Sequence, residues 1–109
     1  MSTSPEQLAA ILERLQPLPV TARRMFGEYA LYLDERLPAF ITDGVLSVKV
    51  TDLEDPALTE DLLGPIYPGS KDYWRLPDRL LADVAWLHEL IMATTARLEP
   101  PKRRARKRG

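Results

Sequence analysis

The chain has no cysteine, a single histidine and only five glycines among its 109 residues. Without thiols there is no disulfide, no thiolate nucleophile, no thiolate zinc site and no iron–sulfur cluster. One imidazole, His88, leaves little room for nucleophilic catalysis, and no G-x-S-x-G turn accompanies it. A histidine-based metal site would have to lean on carboxylates. The glycines stand apart, so both the G-x-x-x-x-G-K-[ST] and the G-x-G-x-x-G phosphate loops are missing. No apolar run approaches the roughly 18 residues of a membrane span. The start, Met1-Ser-Thr-Ser-Pro5, lacks the basic region of a secretory signal. These absences predict a cytoplasmic protein that is not an enzyme, with no cofactor, no metal and no membrane partner.

What is present suits a core: 45% of residues are hydrophobic and 28% charged, in a length that fits one domain. Such a chain buries roughly two-thirds of its unfolded surface and needs no staples. The net charge of −1 conceals a division. Residues 1–99 hold all sixteen acidic residues and nine basic ones, a balance of −7, and residues 100–109 hold the other six basic residues and no acid. The expectation is a folded domain over 1–99 and a basic tail over 100–109 that has nothing to bury and stays disordered.

Ser4-Pro5-Glu6-Gln7 has the form of a capping box with proline at the first helical position. Leu8, Ile11, Leu12 and Leu15 then share one face, which predicts a helix over 5–16 that ends before Pro17. From Phe26 to Thr51 the period becomes two. Tyr29, Leu31 and Leu33, then Leu37, Ala39 and Ile41, then Leu46, Val48 and Val50 mark three strands. Asp34-Glu35-Arg36 and Asp43-Gly44 are the turns between them, the second a strong hairpin signal. Pro38 cannot donate to a ladder and belongs at an edge or a bulge. Residues 52–64 suggest a short acidic helix. Pro68-Gly69-Ser70 suggests a turn between the short strands Ile66-Tyr67 and Tyr73-Trp74-Arg75. A last helix, capped by Asp83 and with Val84, Leu87, Ile91, Thr94 and Leu98 inward, runs to about Leu98. The predicted class is α+β in two layers, helices packed on an antiparallel sheet, in the order α-β-β-β-α-β-β-α.

The stretch Arg23-Arg24-Met25-Phe26-Gly27-Glu28-Tyr29-Ala30-Leu31-Tyr32 resembles the opening of the TfoX N-terminal domain family, shared by Sxy-like competence regulators and small stand-alone bacterial proteins. Asp43-Gly44-Val45-Leu46-Ser47-Val48-Lys49-Val50 is similar to the family's turn and following strand. Tyr73-Trp74-Arg75-Leu76-Pro77 is similar to its late aromatic motif, and Trp86 falls where its last helix often carries an aromatic. The likeness spans residues 5–98. Glu28 and Ala30 stand where the family usually has glycine, and the competence regulators' second domain has no counterpart before the basic tail. The resemblance implies a two-layer α/β fold and a regulatory or adaptor role exercised through protein contacts.

Several residues are candidates for such contacts. Arg23 and Arg24 could clasp a phosphate or carboxylate, or a partner, bidentately; the plainer alternative is that one pairs with Glu13 or Asp83 and pins the strand start. Phe26, Tyr29, Tyr32, Phe40, Tyr67, Tyr73 and Trp74 could stack single-stranded bases, but no basic residues interleave them and packing is the simpler use. If Tyr32 and Phe40 both face outward, they offer an apolar patch to a partner. His88 is expected to make an ordinary hydrogen bond at the boundary of its helix. In the tail, Lys102, Arg103, Arg104, Arg106, Lys107 and Arg108 could attract DNA or RNA nonspecifically by releasing counterions. An unidentified protein partner, a homodimer and nonspecific nucleic acid are therefore the expected partners.

Overall fold

The computed structural model describes residues 3–25 and 27–99. The sequence folds into helix α1 (Pro5–Leu15), strands β1 (Thr21–Met25), β2 (Glu28–Leu33), β3 (Arg36–Thr42) and β4 (Val45–Val48), then β5 (Leu63–Pro65), β6 (Asp72–Arg75), and helices α2 (Asp78–Leu81) and α3 (Val84–Arg97). Among the described residues the six strands form one antiparallel sheet in the order β1-β2-β3-β4-β6-β5. The class is α+β, as the sequence predicts. Among the described residues no helix is long and apolar enough to cross a membrane.

The capping box forms as written in the sequence. The Ser4 hydroxyl accepts from the Gln7 amide at 3.1 Å, and the Gln7 side chain accepts from the Ser4 amide at 2.8 Å. Ile11 and Leu15 of α1 and Leu87, Leu90 and Ile91 of α3 are buried against Leu31, Ala39, Ile41, Leu46 and Val48 of the sheet. Cross-strand register places Ala39 opposite Leu31 and Val48, and Ile41 opposite Tyr29 and Leu46, so these residues share the helix-facing side. Asp83 caps α3 by accepting from the Trp86 amide. Val84, expected inward, is exposed because it sits in the first turn beyond the reach of the sheet, while Leu98 is only half-buried.

Two hairpins turn through left-handed backbone. Asp43 and Gly44 have φ of 56° and 77°, and Asp34 and Glu35 have 58° and 64°, the pattern of two-residue type I′ turns. Pro38 is interior to the sheet, but the β2–β3 register shifts between Leu31 and Leu33 opposite it, so it occupies the irregularity that its missing N–H requires.

Three expectations change. A strand not foreseen, β1, precedes Phe26, and Arg23 and Arg24 lie within it, not before it. Residues 52–64 do not form an α-helix. Asp55 precedes Pro56, which disfavours helical backbone, and its carboxylate accepts from the Ala57 amide at 2.8 Å and from Trp86 Nε1 at 3.0 Å. Only a 3-10 turn, Glu60–Leu62, remains, with Leu53, Leu58 and Leu62 packed on the core. The last hairpin pairs Leu63–Pro65 with Asp72–Tyr73-Trp74, so Ile66 and Tyr67 belong to the loop and not to a strand. The element order is thus one helix, six strands and two helices.

The two type I′ turns respond to mutation in opposite directions. Gly44→Ala strains a φ of +77°, and its new Cβ would lie 2.8 Å from Gln7 Cδ, within the capping box. It should lower stability by about 2 kcal/mol, a left-handed alanine adding to a damaged cap. Glu35→Gly relieves a left-handed side-chain residue and should raise stability by up to about 1 kcal/mol. Urea unfolding of both variants checks the pair of signs.

Candidate contact surface on the open sheet face

Alternation along the strands sends Arg23, Ala30, Tyr32, Phe40, Ser47 and Arg75 to the side away from the helices. Register confirms it, with Arg23 opposite Ala30, Ala30 opposite Phe40, Phe40 opposite Ser47, and Ser47 opposite Arg75. Tyr32 and Phe40 do face the same way, as the sequence allows, each half-buried. The centre of this face is nonetheless closed to water: Ala30 and Ser47 are fully buried. Phe40 meets Tyr73 edge to face at 5.6 Å. Burial, and then neighbouring Tyr67, push the Tyr73 phenol above its ordinary pKa.

At one end of this face, Met25, Glu28, Phe40, Thr42, Ile66 and Tyr67 enclose a mostly apolar pocket of about 410 Å³. The loop from β5 to β6 supplies two of its walls. That loop turns at Pro68-Gly69, with the Ser70 amide donating to Tyr67 O at 3.0 Å and Gly69 at φ +88°, a type II turn. The Ser70 hydroxyl accepts from the Ile66 amide at 2.9 Å and so fixes the loop root. Tyr67 projects from it, 61% exposed.

Glu28, at the start of β2, is fully engaged. One carboxylate oxygen accepts from the Thr3 amide at 3.1 Å and from its hydroxyl at 2.6 Å; the other accepts from the Asp43 amide at 2.9 Å. The Thr3 hydroxyl accepts in turn from the Gly44 amide at 3.0 Å. Arg75 reaches across from β6: its Nη1 donates to Thr42 Oγ1 and Ser47 Oγ, both at 3.3 Å, and to Pro65 O at 3.4 Å. Gly64 leaves space for this stem, since a Cβ there would lie 3.1 Å from Arg75 Cδ. Just beyond β4, burial followed by repulsion from Lys71 lowers the pKa of Lys49.

Arg23 and Arg24 occupy β1, the outermost strand on its side of the sheet. Their side chains leave opposite faces. The Arg23 guanidinium lies over the Tyr32 ring at 5.6 Å, and that of Arg24 over Tyr29 at 5.5 Å, with Nη1 donating to the Tyr29 hydroxyl at 3.1 Å. Pairing with Glu13 or Asp83 does not occur; among the described residues the ion pair present is Arg97 with Asp52, at 2.8 Å. Asp34 and Glu35 share a shallow hollow with Arg23, but neither comes within ion-pair distance. The two arginines are thus not brought together into one clasp.

His88 Nε2 donates to Arg14 O at 2.7 Å, across the α1–α3 contact, and lines none of the pockets on the sheet side. Among the described residues no group of three or more metal-ligating side chains comes together. The tail candidates Lys102, Arg103, Arg104, Arg106, Lys107 and Arg108 lie outside the described residues. Reasoning from sequence missed Arg75 and Glu28; alternation along Tyr73-Trp74-Arg75 puts Arg75 and Trp74 on opposite faces, and Trp74 packs against the core.

The TfoX N-terminal domain family matches residues 10–97. The chain belongs to that family. As a TfoX N-terminal domain it is 36% identical over 108 residues to a protein of Spirochaeta aurantia described as an uncharacterized 12.7 kDa protein in the trpE 5′ region, an alignment covering 98% of this chain and 93% of the relative. In this TfoX domain the Glu28 carboxylate binds three donors. Glu28→Gln keeps the acceptor for Thr3 but turns an N–H toward the Asp43 amide. It should cost about 1–3 kcal/mol, the penalty of leaving donors unmatched in a half-buried site, read from denaturant midpoints.

Proposed function

We propose that this TfoX domain is a small regulatory or adaptor protein of the cytoplasm that acts through protein contacts, without catalysis, and that the link of its family to transcription and competence regulation extends to it. The observation that carries the reading is the β1 edge. An outer strand has one unpaired row of N–H and C=O groups, which an extended segment can complete by adding a strand. Arg23 and Arg24 flank that edge on its two faces, each stacked on a tyrosine and neither paired with a carboxylate among the described residues. An incoming strand with acidic residues supplies the missing charges, one to each face. A second copy joined through the same edge would set arginine against arginine, so a homodimer is better served by another surface.

The second reading, nonspecific nucleic-acid binding, is supported by six cations within residues 102–108. The acidic domain adds nothing favourable to it, and the tail would carry the whole attraction.

Two measurements separate these readings. Affinity capture from the native host, run side by side with the full chain, a chain ending at Pro101, and an Arg23→Glu/Arg24→Glu variant of unchanged melting temperature, should recover the same protein with the first two and lose it with the third. A strictly monomeric sedimentation profile together with no recovered partner would overturn the contact reading. Nucleic-acid binding by the tail should instead weaken with salt at a log–log slope of roughly −4 on a single strand to −5 on a duplex, and should vanish with the chain ending at Pro101; undiminished binding by that shorter chain excludes the tail.

A further inference from the structure

The two outer strands of the sheet are unequal as edges. β5 has three residues and ends on Pro65, which has no N–H to offer. β1 has five residues, none of them proline, and is mostly exposed. The surroundings of β1 also change along its length. Register with β2 sends Thr21, Arg23 and Met25 to the open face and Ala22 and Arg24 to the helix side. At one end, Thr21 borders the hollow that holds Asp34 and Glu35, two carboxylates that meet no cation within ion-pair distance among the described residues. At the other end, Met25 is a wall of the apolar pocket. Between the ends stand the two arginines, one to each face, and on the helix side Ala22 packs on the core. From Met25 back to Thr21 the edge is therefore apolar, cationic, cationic, apolar and, beside Thr21, anionic.

Residues directly opposite one another in an antiparallel pair share a face, with Cβ atoms about 4.5–5.5 Å apart. Given β1 as the contact edge, on which this step rests, we propose that the partner segment is a strand antiparallel to β1 with a fixed order of side chains. From its N-terminus it runs apolar, acidic, acidic, β-branched, basic, and these face Met25, Arg24, Arg23, Ala22 and Thr21 in turn. The two acidic side chains fall on opposite faces of the sheet, one to each guanidinium. A ring contact at an exposed site is weaker than a hydrogen bond between two charged groups, so each guanidinium turns from its tyrosine to the incoming carboxylate while its stem stays on the sheet. At the Thr21 end a lysine is long enough to reach the hollow of Asp34 and Glu35, where a third acid is repelled. A uniformly acidic segment is thereby excluded, and the acids are confined to the middle. The apolar residue lies on Met25, and the β-branched one extends the helix-side surface that Ala22 begins. Antiparallel addition continues the pairing of the whole sheet and is slightly more stable per residue than parallel.

The probe is the end-capped peptide Thr-Leu-Glu-Glu-Val-Lys-Thr, with two controls: the same residues in reverse order, and the forward peptide with glutamate in place of lysine. Each is titrated at pH 7 into the full chain and followed by amide chemical shifts and amide hydrogen exchange. The forward peptide should shift and protect the amides of β1 and bind about tenfold more tightly than either control, the sum of several cross-strand pairs. Asp34→Asn/Glu35→Gln, which keeps side-chain size in the turn, should bring the lysine and glutamate peptides to equal affinity. Should that variant melt early, Asp34→Asn alone, well tolerated in left-handed backbone, should remove part of the same preference. Equal affinity for forward and reversed peptides, or a lysine preference untouched in both variants, overturns the proposed order, while protection of β1 amides in the same titration leaves the edge reading standing. Protection of Leu63 and Gly64 in place of β1 overturns both. No response to any peptide at millimolar concentration also overturns the order, and affinity capture with Arg23→Glu/Arg24→Glu then decides the edge reading alone.

Discussion

The carboxylate of Glu28 joins three parts of the chain that strand pairing alone leaves independent: the segment leading into α1, the start of β2, and the turn between β3 and β4. Its hydrogen bonds to Thr3 and Asp43, and that of Thr3 to Gly44, form one small network in which each donor has an acceptor. Gln7, already closing the α1 cap, packs over Gly44 so tightly that no Cβ fits there. The position of α1 over the sheet therefore depends on a type I′ turn, and the turn depends on a side chain of the neighbouring strand β2. Charged acceptors give stronger bonds than neutral ones, which is why a glutamate is effective at this junction.

That same arrangement shapes the open face. With α1 and α3 covering one side, the other has to manage its apolar centre without a second layer. It does so with side chains that lie flat. Phe40 leans on Tyr73, Arg75 stretches over Ser47 toward Thr42, and Arg23 lies over Tyr32. Long stems cover apolar surface while their charged ends remain near water. The pocket at Met25, Phe40 and Tyr67 is where this covering stops. The β5–β6 loop rises over it instead, held by the Ser70 hydroxyl and the turn at Gly69.

How much of this was legible depended on whether a local pattern decided the structure. The Ser4–Gln7 cap, the Asp43-Gly44 turn, the period-two runs and the Asp83 cap each carry their own geometry, and they formed where the sequence placed them, except that the third run ends at Val48 and leaves Val50 outside the strand and exposed. Strand β1 did not announce itself, because Thr-Ala-Arg-Arg-Met has no alternating apolar side; an outer strand can be polar since it buries little. The acidic stretch from 52 to 64 imitated an amphipathic helix. Its leucines do pack inward, but Asp55 spends its carboxylate on a turn and on Trp86, a contact 31 residues distant that no window of sequence contains. The candidate site was half legible. Arg23, Arg24, Tyr32 and Phe40 could be named and the common side of the last two inferred, whereas the pocket needs residues 25 and 67 to meet, which only the closed sheet achieves.

The charge balance takes on a spatial meaning once the arginines are followed individually. Residues 1–99 carry −7 in total, yet their cations are not spread evenly against it. Arg14 and Arg36 donate to backbone carbonyls, Leu81 O and Thr95 O, at helix ends where a cation also meets the favourable end of the helix dipole. Arg97 pairs with Asp52. Among the described residues Arg23, Arg24 and Arg75, on the sheet and its edge, meet only rings and neutral oxygens, and Lys49, just beyond β4, has its charge disfavoured by burial and then by Lys71. Carboxylates are abundant in this chain, so arginines that find none are arginines the fold has kept from them. An acidic domain whose β1 edge carries two cations without carboxylate partners among the described residues repels anionic groups over most of its surface and least at that edge, which gives an acidic strand a direction of approach before any contact is made.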